Sequence, residues 1–218
     1  MSHSTINING TDIYIASIGD LDNLIAKATP EHLQLIDFIN SPRRKAEILA
    51  TRQLVCEILS PTATIGHNPD GSPNIIGSNL NISISHSHNH VAIALNPHQR
   101  IGIDIESWRD SLNIVREKFL TTHEIAVYNS PQLLLQAWTA KEAIYKAAGI
   151  TGLPFHNILL PLDTTKNIAT VTHNSLNINF ELHTHTPTTP SPWHKTASNI
   201  VLIQPYLPLT TLSIACRT

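Results

Sequence analysis

The order strand, helices, hairpin occurs twice along the chain, and this repetition most constrains what the chain can fold into. In the first copy, Thr11 to Ile18 alternates and is rich in β-branched residues, which predicts a strand. Ser41 to Leu59 predicts a helix, because Ser41 can cap it and Pro42 suits its first turn. Asn79 to Leu95 alternates on both sides of a polar turn and predicts a hairpin.

The second copy begins after a polar linker at 96–100. It reads as a strand, two helices and a β-rich tail, at 101–106, 113–129, 132–148 and 158–217. We therefore predict an α+β fold made of two similar halves, which span 1–98 and 99–218.

Composition excludes several classes of protein. Net charge is -2 among 218 residues, so bulk charge gives no reason to expect nucleic acid or a membrane surface as partner. The N-terminus lacks the basic and apolar regions of a signal peptide. Two cysteines, Cys56 and Cys216, make no disulfide framework and lack metal spacing. We expect a cytoplasmic protein.

The segment IGIDIE places two carboxylates on one strand face. Ile101, Ile103 and Ile105 would face the core, while Asp104 and Glu106 would share the opposite face with a glycine that leaves room for a ligand. Hard oxygen donors at this spacing suit Mg²⁺, which keeps positions for water and phosphate. A solvated acidic edge strand explains the same six residues equally well.

The segment WTAKEAIYKAAG predicts a helix that carries charge on an otherwise apolar sequence. Glu142 and Lys146 are four residues apart, as in an ordinary helix ion pair. Alternatively, Glu142 completes a three-carboxylate cation site with the strand. Lys141 and Lys146 would then hold phosphate oxygens around the metal, as phosphoryl chemistry requires.

The segment SISHSHNH has two interpretations. Ser85 and His86 could donate to anionic oxygens of a phosphate. Alternating histidines can instead chelate a transition metal, which would make the chain a metal-binding or metallohydrolase domain. The histidines of that alternative are His86, His88 and His90, with His183 and His185.

The predicted helix of the first copy has a basic face. Arg43, Arg44, Lys45 and Arg52 lie off its apolar stripe. A solvated face is the plain explanation. The functional one is a phosphate anchor, because an arginine fork suits a bidentate contact.

Taken in order, these segments resemble the 4'-phosphopantetheinyl transferase superfamily, of the surfactin-synthetase-activating (Sfp) type. The combination of G-[IV]-D-x-E with W-[ST]-x-K-E-[AS]-x-x-K carries the resemblance, together with an upstream SHS. The resemblance implies an enzyme of the holo-acyl-carrier-protein synthase class. It would transfer the phosphopantetheine arm of coenzyme A to a serine of an apo acyl or peptidyl carrier protein, with Mg²⁺, and release adenosine 3',5'-bisphosphate.

The resemblance also assigns roles to residues of this chain. It implies Mg²⁺ ligation by Asp104, Glu106 and Glu142, phosphate contacts by Ser85 and His86, pyrophosphate contacts by Lys141 and Lys146, and 3'-phosphate binding by Arg52 with Arg43 or Lys45. Glu142, Lys146 and His86 would thereby take part in catalysis, and Glu124 of FLTTHE could take the serine proton. Glu142 or a metal-bound water remain alternatives for that base.

The chain departs from the family where Ser72 of GSP replaces a lysine expected near the coenzyme phosphates. Leu112, Ile114, Val115 and Phe119 either face the carrier protein or pack in the core. The resemblance also implies a pseudo-dimer of two similar α/β subdomains, and it implies a monomer because the pseudo-dimer already completes one site. Carriers of fatty acid, polyketide and nonribosomal peptide synthesis all remain possible targets.

Overall fold

The computed structural model describes residues 2–87, 89–185 and 198–205. The strands are β1 His3–Ile8, β2 Thr11–Ser17, β3 Ile65–His67, β4 Pro73–Ile75, β5 Asn81–Ser87, β6 His90–Asn96, β7 Gly102–Ser107, β8 Ile158–Leu159, β9 Ile168–His173, β10 Leu176–His185 and β11 Ser198–Pro205. The helices are α1 Leu21–Ala26, α2 Pro30–Gln34, α3 Pro42–Ile58, α4 Ser111–Phe119, α5 Thr122–Val127 and α6 Pro131–Ala148. Residues 186–197 and 206–217 of the predicted β-rich tail, Cys216 among them, lie outside the described residues.

Two antiparallel sheets organise the described chain. The first has the strand order β1-β2-β6-β5, and the second has the order β7-β11-β10-β9-β8. Strands β3 and β4 form a separate pair. Helix α3 contributes to the core of the first sheet, and α6 packs on β7 and β11 of the second. This mixture of helices and antiparallel sheets agrees with the predicted class and is compatible with the transferase fold; the similarity of the two halves and the boundary at 98/99 stay predictions.

Helix boundaries follow the capping chemistry of the sequence. The Ser41 hydroxyl accepts a hydrogen bond from the Arg44 amide at 3.3 Å, which confirms the predicted start of α3. The single helix predicted at 113–129 is wrong. Leu120 is extended, and Thr121 starts α5 with a capping box to Glu124, so the segment forms two short helices.

Aliphatic side chains join the two sheets. Ile13 and Ile15 of β2 pack against the predicted core residues of β7. The whole cluster is buried and consists of Ile13, Ile15, Ala92, Ala94, Ile101, Ile103, Ile105 and Leu202. The alternation predicted for IGIDIE is thereby confirmed on its apolar face. None of the described helices is long and apolar enough to cross a membrane.

Gly102 makes room for a helix rather than for a ligand, which corrects the expectation from sequence. A Cβ atom at this position would lie 1.9 Å from the Ala143 carbonyl oxygen and 2.8 Å from the Ala147 amide nitrogen. Both atoms belong to the backbone of α6, so they cannot move aside like a flexible side chain. Glycine therefore allows α6 to lie directly on β7.

We expect Gly102→Ala to lower the free energy of unfolding by about 1–3 kcal/mol or more, because the added methyl group overpacks a backbone contact. Urea unfolding followed by circular dichroism measures the change. Gly19→Ala is the matched control, since its Cβ would meet nothing within 4 Å. Equal effects of the two substitutions would contradict this account of the packing.

Candidate active site

Strand β7 presents two carboxylates between the sheets. The Asp104 side chain is buried, and Glu106 is half-buried. They share a strand face because successive side chains alternate. Both carboxylates therefore belong to one strand, β7, whose opposite face is buried in the core.

One oxygen of Asp104 is fully engaged and the other is not. Its Oδ1 accepts from the Ser85 hydroxyl of β5 at 2.6 Å and from the Lys146 ammonium of α6 at 2.8 Å. Lys146 also donates to the Ile103 carbonyl at 2.9 Å. Asp104 Oδ2 is buried and has no hydrogen-bond partner among the described residues. A buried carboxylate oxygen in that condition needs a donor or a cation.

Glu106 also has a buried oxygen that accepts no hydrogen bond from the described part of the chain. Its Oε2 is buried without a hydrogen bond to any described residue, although an Arg109 nitrogen lies 3.3 Å away as an ion pair. Arg109 also lies over the Trp138 ring, with its guanidinium carbon 5.6 Å from the ring centroid. The arginine offsets some of the negative charge beside the site.

The carboxylates of the site act on each other. Burial raises the pKa of Glu142, and the negative charge of Asp104 raises it further, while Lys146 and Arg109 lower it. Burial also raises the pKa of Glu106, Arg109 lowers it, and Asp104 and Glu142 raise it again. Glu142 of α6 therefore lies in the same electrostatic neighbourhood as the two carboxylates of β7.

The three carboxylates do not form a ready-made metal cage. No group of three or more His, Cys, Asp or Glu side chains in the described part of the chain is arranged to hold a metal ion. The donor set nevertheless fits Mg²⁺, which usually takes one or two protein carboxylates and completes its shell with water and phosphate. The two buried oxygens that accept no hydrogen bond from the described residues, on Asp104 and Glu106, are the available donors.

Lys141 and Glu124 are placed apart from this group. Lys141 is fully buried, and its ammonium donates to Glu124 Oε2 at 2.9 Å and to the Phe155 carbonyl at 3.1 Å. Glu124 also accepts from Thr121 and from the Leu160 amide. Burial lowers the pKa of Lys141, and the charge of Glu124 opposes that shift. The structure brings these two residues together but not to Asp104.

His86 connects the basic helix with the site. Its Nε2 lies 2.7 Å from the Thr51 hydroxyl of α3, which itself donates to the Glu47 carbonyl. Burial lowers the pKa of His86 to about 4; Glu47 opposes the shift, and the cations Arg44 and Lys146 add to it. The imidazole is therefore neutral near pH 7.

The predicted phosphate anchors of α3 are dispersed. Arg43 and Arg44 both pair with Glu47 at 3.0 Å. Arg52 donates to the Ile65 carbonyl at 2.8 Å. Lys45 is half-buried on the first turns of α3. The structure thus gathers Asp104, Glu106, Glu142, Lys146, Ser85 and His86, and leaves Arg52 apart from them.

A cleft of about 430 Å³ opens beside Lys146, between the 68–74 turn and the C-terminal end of α6. Of the predicted site residues that the structure describes, Lys146 alone lines it. Arg100 lines the cleft. It forms an ion pair with Asp70 at 2.9 Å and donates a hydrogen bond to the Lys146 carbonyl at 3.3 Å. Ser72, which stands where a lysine was expected, donates to Asp70 at 2.6 Å.

Sequence reasoning missed Arg100, because a single arginine in a polar linker carries no periodicity or motif. The sequence signal nearest to Arg100 in the structure was the glycine at position 149. It ends α6 in a left-handed conformation (φ 63°). A Cβ there would lie 2.4 Å from the Arg100 guanidinium carbon. Glycine thus serves both as the helix cap and as the surface under Arg100.

The histidine-cluster alternative finds no support in the described residues. His86 is bonded to Thr51, and no three-residue metal group forms around His86, His90 or His183. The side chains of His88 and His185 lie outside the described residues.

We expect Lys141→Met to lower the free energy of unfolding by about 3–5 kcal/mol, because it leaves the buried Glu124 charge unpaired. Chemical denaturation measures this. Arg43→Met at the exposed pair with Glu47 is the control and should cost less than about 1 kcal/mol. A loss below about 1 kcal/mol at Lys141 would contradict a structural ion pair.

We expect Glu142→Gln to stabilise the metal-free protein near pH 7. The raised pKa of Glu142 means that the folded state binds its proton more tightly than the unfolded state, so its ionisation opposes folding as pH rises through that pKa. The gain should vanish below about pH 4, where the carboxyl is protonated in both states. Thermal unfolding with EDTA at both pH values tests this, and destabilisation near pH 7 would refute it.

Comparison with known proteins supports the resemblance drawn from the sequence. Residues 100–202, slightly less than half of the chain, match the family model of the 4'-phosphopantetheinyl transferase superfamily. No curated protein matches the chain. The matched segment includes Asp104, Glu106, Glu142 and Lys146. Over these residues the chain is similar to the 4'-phosphopantetheinyl transferase superfamily.

Proposed function

We propose that this protein transfers the 4'-phosphopantetheine arm of coenzyme A to a serine of an apo acyl or peptidyl carrier protein, as an Sfp-type enzyme that requires Mg²⁺. The observation that carries the proposal is the pair of buried oxygens on Asp104 and Glu106 that accept no hydrogen bond from the described residues, beside Glu142 and Lys146. A protein that merely bound a carrier would have no use for such a group.

The reaction exchanges the phosphoanhydride bond of the coenzyme A pyrophosphate for a phosphodiester bond to serine. The serine oxygen attacks the phosphorus that carries pantetheine, the bridging P–O bond to the adenosine phosphate breaks, and adenosine 3',5'-bisphosphate leaves. The serine proton passes to a base. Mg²⁺ would offset the negative charge of the pyrophosphate when bound by Asp104, Glu106 and Glu142.

Lys146 would contribute positive charge from the cleft side. Its ammonium lies 2.8 Å from Asp104 and the residue lines the cleft, so one side chain can touch both the carboxylate group and a phosphate oxygen. Arg100 would add to the positive charge of the cleft that Ser72 does not supply. A cleft of about 430 Å³ has the size range of small-molecule sites.

Among the candidates for the base, Glu142 is better supported than Glu124. A base must reach the attacking hydroxyl with a free oxygen. Both oxygens of Glu124 already accept hydrogen bonds, and its charge is committed to Lys141. Glu142 is half-buried beside the acidic group, and its raised pKa makes it a stronger proton acceptor.

The remaining assignments stay predictions. Neutral His86 can donate one proton to a phosphate once it turns from Thr51, and Arg43, Lys45 and Arg52 would need to leave their present contacts or surroundings to meet a 3'-phosphate. Ile114, which is largely exposed on α4, suits the predicted carrier contact, whereas Leu112 and Phe119 are buried.

The test is the intact mass of an apo acyl carrier protein after incubation with this protein, coenzyme A and Mg²⁺, with EDTA in a parallel tube. We expect a gain of one phosphopantetheine mass that EDTA abolishes. Glu142→Gln should lower the rate by at least about 100-fold while the protein stays folded. Turnover at the normal rate in that variant would remove Glu142 from the site, and no transfer to any of several carriers, without coenzyme A binding, would refute the function.

A further inference from the structure

The serines of β5 meet β7 as a row of hydroxyls along the boundary between the sheets. Ser83 Oγ accepts from the Ile103 amide at 3.0 Å, and Ser85 Oγ accepts from the Ile105 amide at 3.3 Å. Both serines are buried. Their shared role is to satisfy the edge amides of β7, which no neighbouring strand covers on this side.

Ser85 differs from Ser83 in one respect. Its hydroxyl proton goes to Asp104 Oδ1 at 2.6 Å, the length of a hydrogen bond to an ionised oxygen. A hydroxyl has one proton to donate, so Ser85 cannot also donate to a phosphate without leaving Asp104. The residue is only 5% exposed, and it does not line the cleft as Ser83 does.

We propose that Ser85 is a positioning residue for the cation site rather than a contact of the coenzyme phosphates. With Lys146 it holds Oδ1 of Asp104, which fixes the carboxylate plane and leaves the buried Oδ2 as the oxygen available to a cation. Hydrogen-bonded partners of ligating carboxylates set ligand orientation in this way. The inference rests on the proposed function, because it assumes that Asp104 binds a divalent ion.

The chain supplies its own control. Ser83→Ala removes the same kind of amide acceptor from the same boundary, two residues away, but touches no carboxylate. Ser85→Ala removes an amide acceptor and the Asp104 contact together. A purely structural role predicts equal effects of the two substitutions on metal binding.

The experiment is a titration of the full-length protein with Mn²⁺, followed by the loss of its free-ion electron paramagnetic resonance signal, with and without coenzyme A. Mn²⁺ is a suitable probe because it prefers the same octahedral oxygen ligands as Mg²⁺. We expect Ser85→Ala to weaken Mn²⁺ affinity about 10–100-fold. Ser83→Ala should change it less than about twofold, although both variants should unfold at lower urea concentration.

A second measurement separates positioning from phosphate contact. Calorimetry of coenzyme A binding in EDTA reports contacts that need no metal, and there Ser85→Ala should bind as well as the unsubstituted protein. Weaker coenzyme binding in EDTA, or equal Mn²⁺ affinities for the two alanine variants, would overturn the inference. If the unsubstituted protein itself bound no Mn²⁺ with coenzyme A present, the cation site of the proposed function would fall, and this inference with it.

Discussion

The edge of β7 is the constraint on which the rest of the structure depends. A buried strand edge must find partners for its amides and carbonyls, and here side chains supply several of them. Serines from β5 accept from the Ile103 and Ile105 amides, and Lys146 donates to the Ile103 carbonyl. The groups that join the sheets therefore reach the same short segment that carries Asp104. The contact between the two sheets and the candidate site are one arrangement of hydrogen bonds.

Two clusters of charged side chains on neighbouring elements differ in how their charges are compensated. Lys141 and Glu124 are buried, paired and fully hydrogen-bonded, as charges in a core must be. Asp104, Glu106 and Glu142 are crowded, with buried oxygens left without hydrogen bonds and with mutual repulsion that burial strengthens. The first arrangement stabilises the fold. In the second, the raised pKa values of Glu106 and Glu142 mean that ionisation of these carboxylates opposes folding, which is typical of functional sites.

Much of the fold could be predicted because its signals are local. Alternation identified β7 and the hairpin of β5 and β6, and Ser41 marked the start of α3. The element toward which each side chain points could not be predicted in the same way. Lys141 and Glu142 are adjacent in sequence and differ by about 100° around the helix. Periodicity alone did not reveal that one points to a partner in the core and the other to the carboxylates.

The structure also differed from the sequence predictions where a residue contacts an element that is distant along the chain. Gly102 was interpreted as space for a ligand, but the backbone of α6 fills that space. Arg100 had no pattern around it, and its importance depends on Asp70, thirty residues away. Ser85 belonged to a recognisable motif, but the motif did not reveal its hydrogen bond to Asp104. Such contacts depend on how the sheets meet, and no local rule encodes that.

The hydroxyl bonds across the boundary also bear on the order of folding. Each connects residues only 20 positions apart, although the two partners belong to different sheets. The entropy lost on closing a loop grows with the logarithm of its length, so a loop of this size costs less to close than one that spans a whole subdomain. By contrast, the Asn96 contact with Thr11 closes a loop of 85 residues within the first sheet. The contact between β5 and β7 is therefore entropically accessible before the first sheet is complete, so Ser85 and Asp104 can meet early, whereas Glu142 and Lys146 join them only with α6.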